Sequence, residues 1–132
     1  PIVDLTETAE GSQLRSDLQT SLSLNSITAF SVVNTTSTLI NTTGYFRVFG
    51  SAAGTRTGAG FESAIFRLTD GTTTKILYEI MFFDPQSNIP FDFTVFLQAG
   101  DSLTLQSNAT TVTSKGITRQ IADLAGNLVS PS

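Results

Sequence analysis

The residues of this chain that could do chemistry are few, and most of them are aspartates. Asp70, Asp84, Asp92 and Asp101 fall in turns or near the ends of apolar runs, where loop oxygens can gather a hard cation such as Ca²⁺. Their spacing matches no EF-hand and no repeat-type calcium motif, and turn chemistry alone accounts for Asp70 and Asp101. A carboxylate pair could hydrolyse a glycoside, but nothing in the order of residues sets two acids across a cleft. Lys75 or Lys115 could activate a serine, yet no Ser-x-x-Lys spacing exists. Gly54 to Gly60 superficially resembles a phosphate-cradling loop, but it lacks the Lys-Ser/Thr ending and joins strand to strand. It reads as an interstrand loop with Arg56 at its tip, where a partner could be touched. The chain has no His, no Cys and no Trp, so the proton shuttle, the thiol nucleophile and the soft metal ligand are all missing. Neither catalysis nor a cofactor nor a metal is expected.

The residues that do dominate are 15 Ser and 21 Thr among 132, alternating with Phe, Val, Ile and Leu as sheets with one wet face require. One domain fits this length, and it can bury a core without disulfides or metals. The net charge is −4, which argues against nucleic acid, where phosphate demands a basic face, and against docking on anionic lipid. No apolar run reaches the ~18 residues of a transmembrane helix, and no signal-peptide pattern is present. Pro1 fits the trimmed end of a chain made in the cytoplasm, or an end left by processing. Only 14% of residues are charged, against about 25% in an average soluble domain. Either Ser and Thr supply the wet surface or partners cover much of it. Asn34-Thr35-Thr36, Asn41-Thr42-Thr43 and Asn108-Ala109-Thr110 are glycosylation sequons that a Thr-rich chain also produces by chance. As sugar-stacking platforms Tyr45 and Tyr78 are poor candidates, since both fall inside strand patterns and are expected in the core.

The elements follow from period-two patterning. Residues 1–20 form a distinct N-terminal segment: an apolar Ile2, Val3 and Leu5, then a polar stem that suits an extended arm with one helical turn near Leu14 and Leu18. Residues 21–132 read as a sandwich domain with a short C-terminal tail. Strands are expected over Leu22 to Val33, Tyr45 to Phe49, Phe61 to Thr69, Thr74 to Phe83, Ile89 to Leu97 and Ser102 to Gln106. A weak strand is expected over Thr110 to Thr113 and another over Ile117 to Leu124, with Gly116 between them. Asp70-Gly71 is the strongest hairpin signal. The fold class is all-β: an antiparallel, jelly-roll-like β-sandwich of about seven or eight strands.

One hairpin is apolar on both faces. In Thr74 to Phe83, Ile76, Tyr78, Ile80 and Phe82 share one face, while Leu77, Met81 and Phe83 share the other with Lys75 and Glu79. A sandwich covers one face of each sheet, so Leu77, Met81 and Phe83 are expected at a subunit interface, together with Ile2, Val3 and Leu5 of the arm.

The strand map resembles small β-sandwich virion proteins of tailed bacteriophages. The residues that carry the resemblance are Val33-Asn34-Thr35-Thr36 at a strand end, the Asp70-Gly71 hairpin and the turn Leu97-Gln98-Ala99-Gly100-Asp101-Ser102-Leu103. The resemblance implies a non-enzymatic role in the virion, as a capsid decoration (cement) protein. It implies a homo-oligomer, a trimer in such phages, that bridges subunits of the major capsid protein. The competing expectation is a carbohydrate- or receptor-binding module of a tail fibre, head fibre or adhesin. If the arm is the grip, deleting Pro1 to Glu10 abolishes attachment to capsids and leaves the folded oligomer intact. Full decoration by the truncated chain, quantified on purified particles, refutes the arm.

Overall fold

The chain folds as if one long hairpin had been rolled up. A computed structural model describes residues 27–55, 62–83 and 86–129. They form eight strands: β1 (Thr28–Val33), β2 (Thr36–Ile40), β3 (Gly44–Gly54), β4 (Glu62–Thr69), β5 (Thr74–Phe82), β6 (Ser87–Leu97), β7 (Ser102–Ser107) and β8 (Val112–Ala122). Each strand of the first half pairs antiparallel with its mirror strand in the second: β1 with β8, β2 with β7, β3 with β6 and β4 with β5. Pairing of β3 with β8 and of β4 with β7 then closes two four-stranded sheets, ordered β1-β8-β3-β6 and β2-β7-β4-β5. That is the eight-stranded jelly roll.

The inner faces pack as the alternation dictates. Val48, Phe91, Val95 and Leu97 of the first sheet meet Phe66, Phe82, Leu103 and Leu105 of the second, all buried. Each such side chain contributes roughly 1.5–3 kcal/mol on burial. Phe66 lies edge-on to Phe91 and Phe93 of the facing sheet, with ring centroids at 4.9 and 5.0 Å. As the alternation of β6 requires, Asp92 and Thr94 point to solvent.

Three expectations need correction. Between the strands expected over Leu22 to Val33 and Tyr45 to Phe49 lies one that was not expected, β2, short and with little apolar content beyond Leu39 and Ile40. The two strands expected on either side of Gly116 are one continuous β8, with Gly116 at its centre. Gly116 faces Gly50 of β3, and a Cβ on Gly116 would lie 2.8 Å from Phe30 Cζ and 3.1 Å from Gly50 Cα, besides striking the Phe49 carbonyl. The glycine is there for close approach, and the space left is taken by Phe30, stacked 6.3 Å from Phe91. Gly54 is also no loop residue: it ends β3, buried, and a Cβ there would lie 2.9 Å from Val112 and 3.1 Å from Phe82. The expected arm, residues 1–20, lies outside the described residues, as do residues 21–26 of the first expected strand.

Ser107 ties the β1–β2 corner to the β7–β8 corner. Its hydroxyl accepts the N–H of Asn34 at 3.0 Å and lies 2.6 Å from the Val112 carbonyl, to which it donates. Asn34 holds φ of 50°, a left-handed conformation that Asn tolerates better than most residues.

Because the Gly116 contacts are largely backbone, Gly116→Ala is expected to cost roughly 1–3 kcal/mol. Chemical denaturation checks this, and a loss within measurement error would mean the two strands can separate without penalty.

Candidate assembly interface

The exposed large apolar side chains are concentrated on β5. Ile76 is 55% exposed, Leu77 43%, Tyr78 39%, Met81 40% and the following Phe83 49%. Among the described residues β5 is an edge strand of the second sheet, paired only with β4. Its far half obeys the expected alternation, with Ile80 and Phe82 in the core and Met81 outside. The near half does not. Phe66 pairs with Tyr78 but Arg67 pairs with Ile76, so Leu77 is the extra residue of a bulge. That slip moves Ile76 from the inner face to the outer face, beside Arg67. Leu77, Met81 and Phe83 are exposed, but Leu77 lines a groove with Tyr78 and does not simply continue the face of Met81; Ile76, which the sequence pattern assigned to the same face as Ile80, is exposed as well.

Tyr78 and Tyr45 are not core residues. Tyr78 sits at the open edge of the sandwich, its ring 5.9 Å from Phe93. There a groove of about 340 Å³ runs between β5 and β6, lined by Leu68, Leu77, Tyr78, Phe93 and Phe96, with Thr94 as a polar lining side chain. Tyr45 lies on the outer face of the first sheet, 36% exposed and 4.5 Å from the Phe96 ring. Next to it on that sheet, Arg47 donates from Nε and Nη2 to the two carboxylate oxygens of Asp92, at 3.0 and 2.7 Å. Its guanidinium also lies over Phe49, 4.3 Å from the ring centroid. The pair is exposed and worth at most about 1 kcal/mol. Of the other interface residues expected from sequence, Ile2, Val3, Leu5 and Arg56 lie outside the described residues.

The aspartates singled out for chemistry serve turns. Asp70 Oδ1 accepts the N–H groups of Thr73 and Thr72 at 2.7 and 2.8 Å, and Gly71 takes φ of 93°. Asp101 Oδ2 accepts the Gln98 N–H at 3.0 Å. Asp123, not singled out from sequence, organises the loop after β8: its Oδ1 accepts the N–H of Asn127 at 2.9 Å and of Ala125 at 3.0 Å. Asp84 lies outside the described residues. Among the described residues no three acidic side chains converge as metal ligands, and no helix is long and apolar enough to cross a membrane.

No family model matches the chain, and no curated protein does. Solved structures do match, among them two crystal structures of a pentameric capsid protein isolated from metagenomic phage sequences, one of them solved by iodide SAD phasing. Both are 44% identical to this chain with a TM-score of 0.79, and the match covers 99% of this chain and 82% and 84% of the two matched chains.

The turn geometry carries a pH dependence. Backbone N–H donors, from Thr73 first and then Thr72, hold Asp70 below the ordinary aspartate value; the Asn127 N–H does the same for Asp123, and the Arg47 hydrogen bond for Asp92. A carboxyl depressed in the folded state contributes stability that is present above its unfolded value, about 3.9, and is lost as pH falls through the folded one. The melting temperature is therefore expected to be level from neutral pH to about 5 and to fall below about 4. Replacing all three by Asn should shrink the acid fall. An unchanged acid limb in thermal melts would assign it to other carboxylates.

Proposed function

The chain belongs to the family of these phage capsid proteins, and from that we propose that it is a structural capsid subunit that associates with itself into a ring of five. It works by contact, with no catalytic step. The jelly roll by itself does not decide this, because the fold serves both viral shells and lectins. The observation that carries the reading is the apolar side of β5, which no described residue covers, in a chain 44% identical to a protein that is pentameric. An exposed edge strand bearing Ile76, Leu77, Met81 and Phe83 is an aggregation hazard for a monomer and a seat for a neighbour in an assembly.

The trimer that the sequence resemblance implied gives way in this proposal to five copies, on the strength of the pentameric relative. A narrower role fits inside the same reading: decoration (cement) of a shell built by a major capsid protein, in a virion assembled in the host cytoplasm. A low charge content supports it by leaving surface for contacts. A glycan-binding module needs a polar, aromatic-lined groove. The groove between β5 and β6 has the aromatics but is otherwise lined mostly by Leu and Val.

Light scattering after size exclusion tests the proposal. The expected mass is about five times the 14.0 kDa chain. Met81→Asp with Phe83→Asp should shift it to the single-chain mass while the variant still melts cooperatively. A wild-type monomer at high concentration, or clear hits on a glycan array, would overturn the assignment.

A further inference from the structure

A cyclic ring cannot be closed by one self-complementary patch. Its contacts are head-to-tail, so each subunit must carry two unlike surfaces that fit one another. The β5 side provides one. Among the described residues nine large apolar side chains are exposed, and five of them belong to that side. Of the other four, three gather at a single place: Tyr45 (36%), Leu124 (48%) and Leu128 (45%). Tyr45 opens β3 opposite Ala122, and Leu128 is bridged to Ala122, so the start of β3, the end of β8 and the returning tail meet there. Phe96 packs on Tyr45 and extends the patch.

We infer that the Tyr45–Leu124–Leu128 patch is the mating surface for the β5 side of an adjacent copy of this chain, an assignment that rests on the ring proposed above. The two patches are anchored on different sheets. Met81 and Phe83 lie at the start of β6, whose first residue Phe83 shortly precedes, whereas Tyr45 pairs with Phe96 near its last. Nine residues of strand separate those two anchors, roughly 30 Å. Between them Leu77 and Tyr78 line the groove that Phe96 also lines. Anchors that differ in this way are unlike surfaces, and unlike surfaces can chain copies head to tail.

The area is adequate. At roughly 200 Å² per large side chain, the β5 side offers some 400–450 Å² of exposed apolar surface. A standard interface takes about 800 Å² per partner, a little over half of it apolar. The β5 side thus supplies most of the apolar share, and the smaller opposing patch is completed by Phe96 and flanking backbone.

The opposing patch is also held in advance. The Asp123 carboxylate accepts the N–H groups of Ala125 and Asn127, the Asp123 N–H reaches the Asn127 carbonyl at 2.9 Å, and Gly126 takes φ of 88°. The Val129 N–H then returns to the Ile121 carbonyl at 2.9 Å. A loop fixed in this way presents Leu124 and Leu128 without paying ordering entropy at association.

Two variants and their mixture test the pairing. One carries Met81→Asp and Phe83→Asp, the other Leu124→Asp and Leu128→Asp; Ser replaces Asp at either site if cooperative melting is lost. Each alone should sediment as a monomer. Mixed in equal amounts they should give a species of two chains and nothing larger, because one intact surface of each kind remains and the pair cannot extend. A Leu124/Leu128 variant that still forms the wild-type ring overturns the pairing and leaves the ring standing. So does a Leu124/Leu128 variant that dimerises alone, which would mean that β5 sides meet each other, and so does a mixture that stays monomeric. A monomeric wild-type chain removes the ring itself, and the pairing with it.

Discussion

Phe66 meeting Phe91 and Phe93 edge-on, at about 5 Å, is the contact that joins the two sheets at their centre. Edge-to-face aromatic pairs add roughly 0.5–1.5 kcal/mol to the area they bury, and three rings in one cluster fix the relative position of the layers. Everything else takes its place from that. Phe30 reaches the cluster only because Gly50 and Gly116 let β3 and β8 lie close beneath it. Ile80 and Phe82 turn inward to fill the flank, and in doing so they commit Met81 and Phe83 to the outside. The apolar outer surface of β5 is thus a geometric consequence of how its inner surface is used.

Period two made much of this legible. The alternation from Ile89 to Leu97 located β6 and both its faces, and the Asp70-Gly71 pair located the hairpin at the tip of the roll. Failures came where a local rule met a long-range demand. Gly116 is a breaker by propensity, yet Gly50 and Phe30, distant in sequence, require a residue without a side chain there. β2 is short and mostly Thr and Ser, so its strand character comes from pairing with β7 and not from its own pattern. The bulge at Leu77 shifts the face of Ile76 and leaves no trace in composition, because Ile, Leu and Tyr read alike in either register.

The proposed assembly surface was legible in the same uneven way. Leu77, Met81 and Phe83 stand out because a strand apolar on both faces cannot be satisfied by one sandwich. Tyr45, Leu124 and Leu128 do not stand out. They are isolated in sequence and become neighbours only when the tail folds back onto the end of β8. Asp123 was equally silent, although it shapes that loop, because an acid in a polar turn looks the same whether it binds a ligand, solvent or its own backbone.

A chain with few charges and a broad apolar edge must either aggregate or assemble, and the fold contains elements that favour the second. The bulge at Leu77 interrupts the regular edge of β5, and Lys75 and Glu79 flank it, which disfavours open-ended strand addition. Contacts made through side chains on outer faces then set the geometry in place of backbone ladders. In the proposed ring every copy uses both surfaces, so no apolar patch is left at an end, as it would be in a filament. Closure also converts the last contact into an intramolecular one, so that modest pairwise affinity suffices for a stable assembly. On this view the low charge content and the Asp123 carboxylate serve one purpose. The first leaves surface free for neighbours, and the second holds the loop that carries Leu124 and Leu128 still enough to meet them.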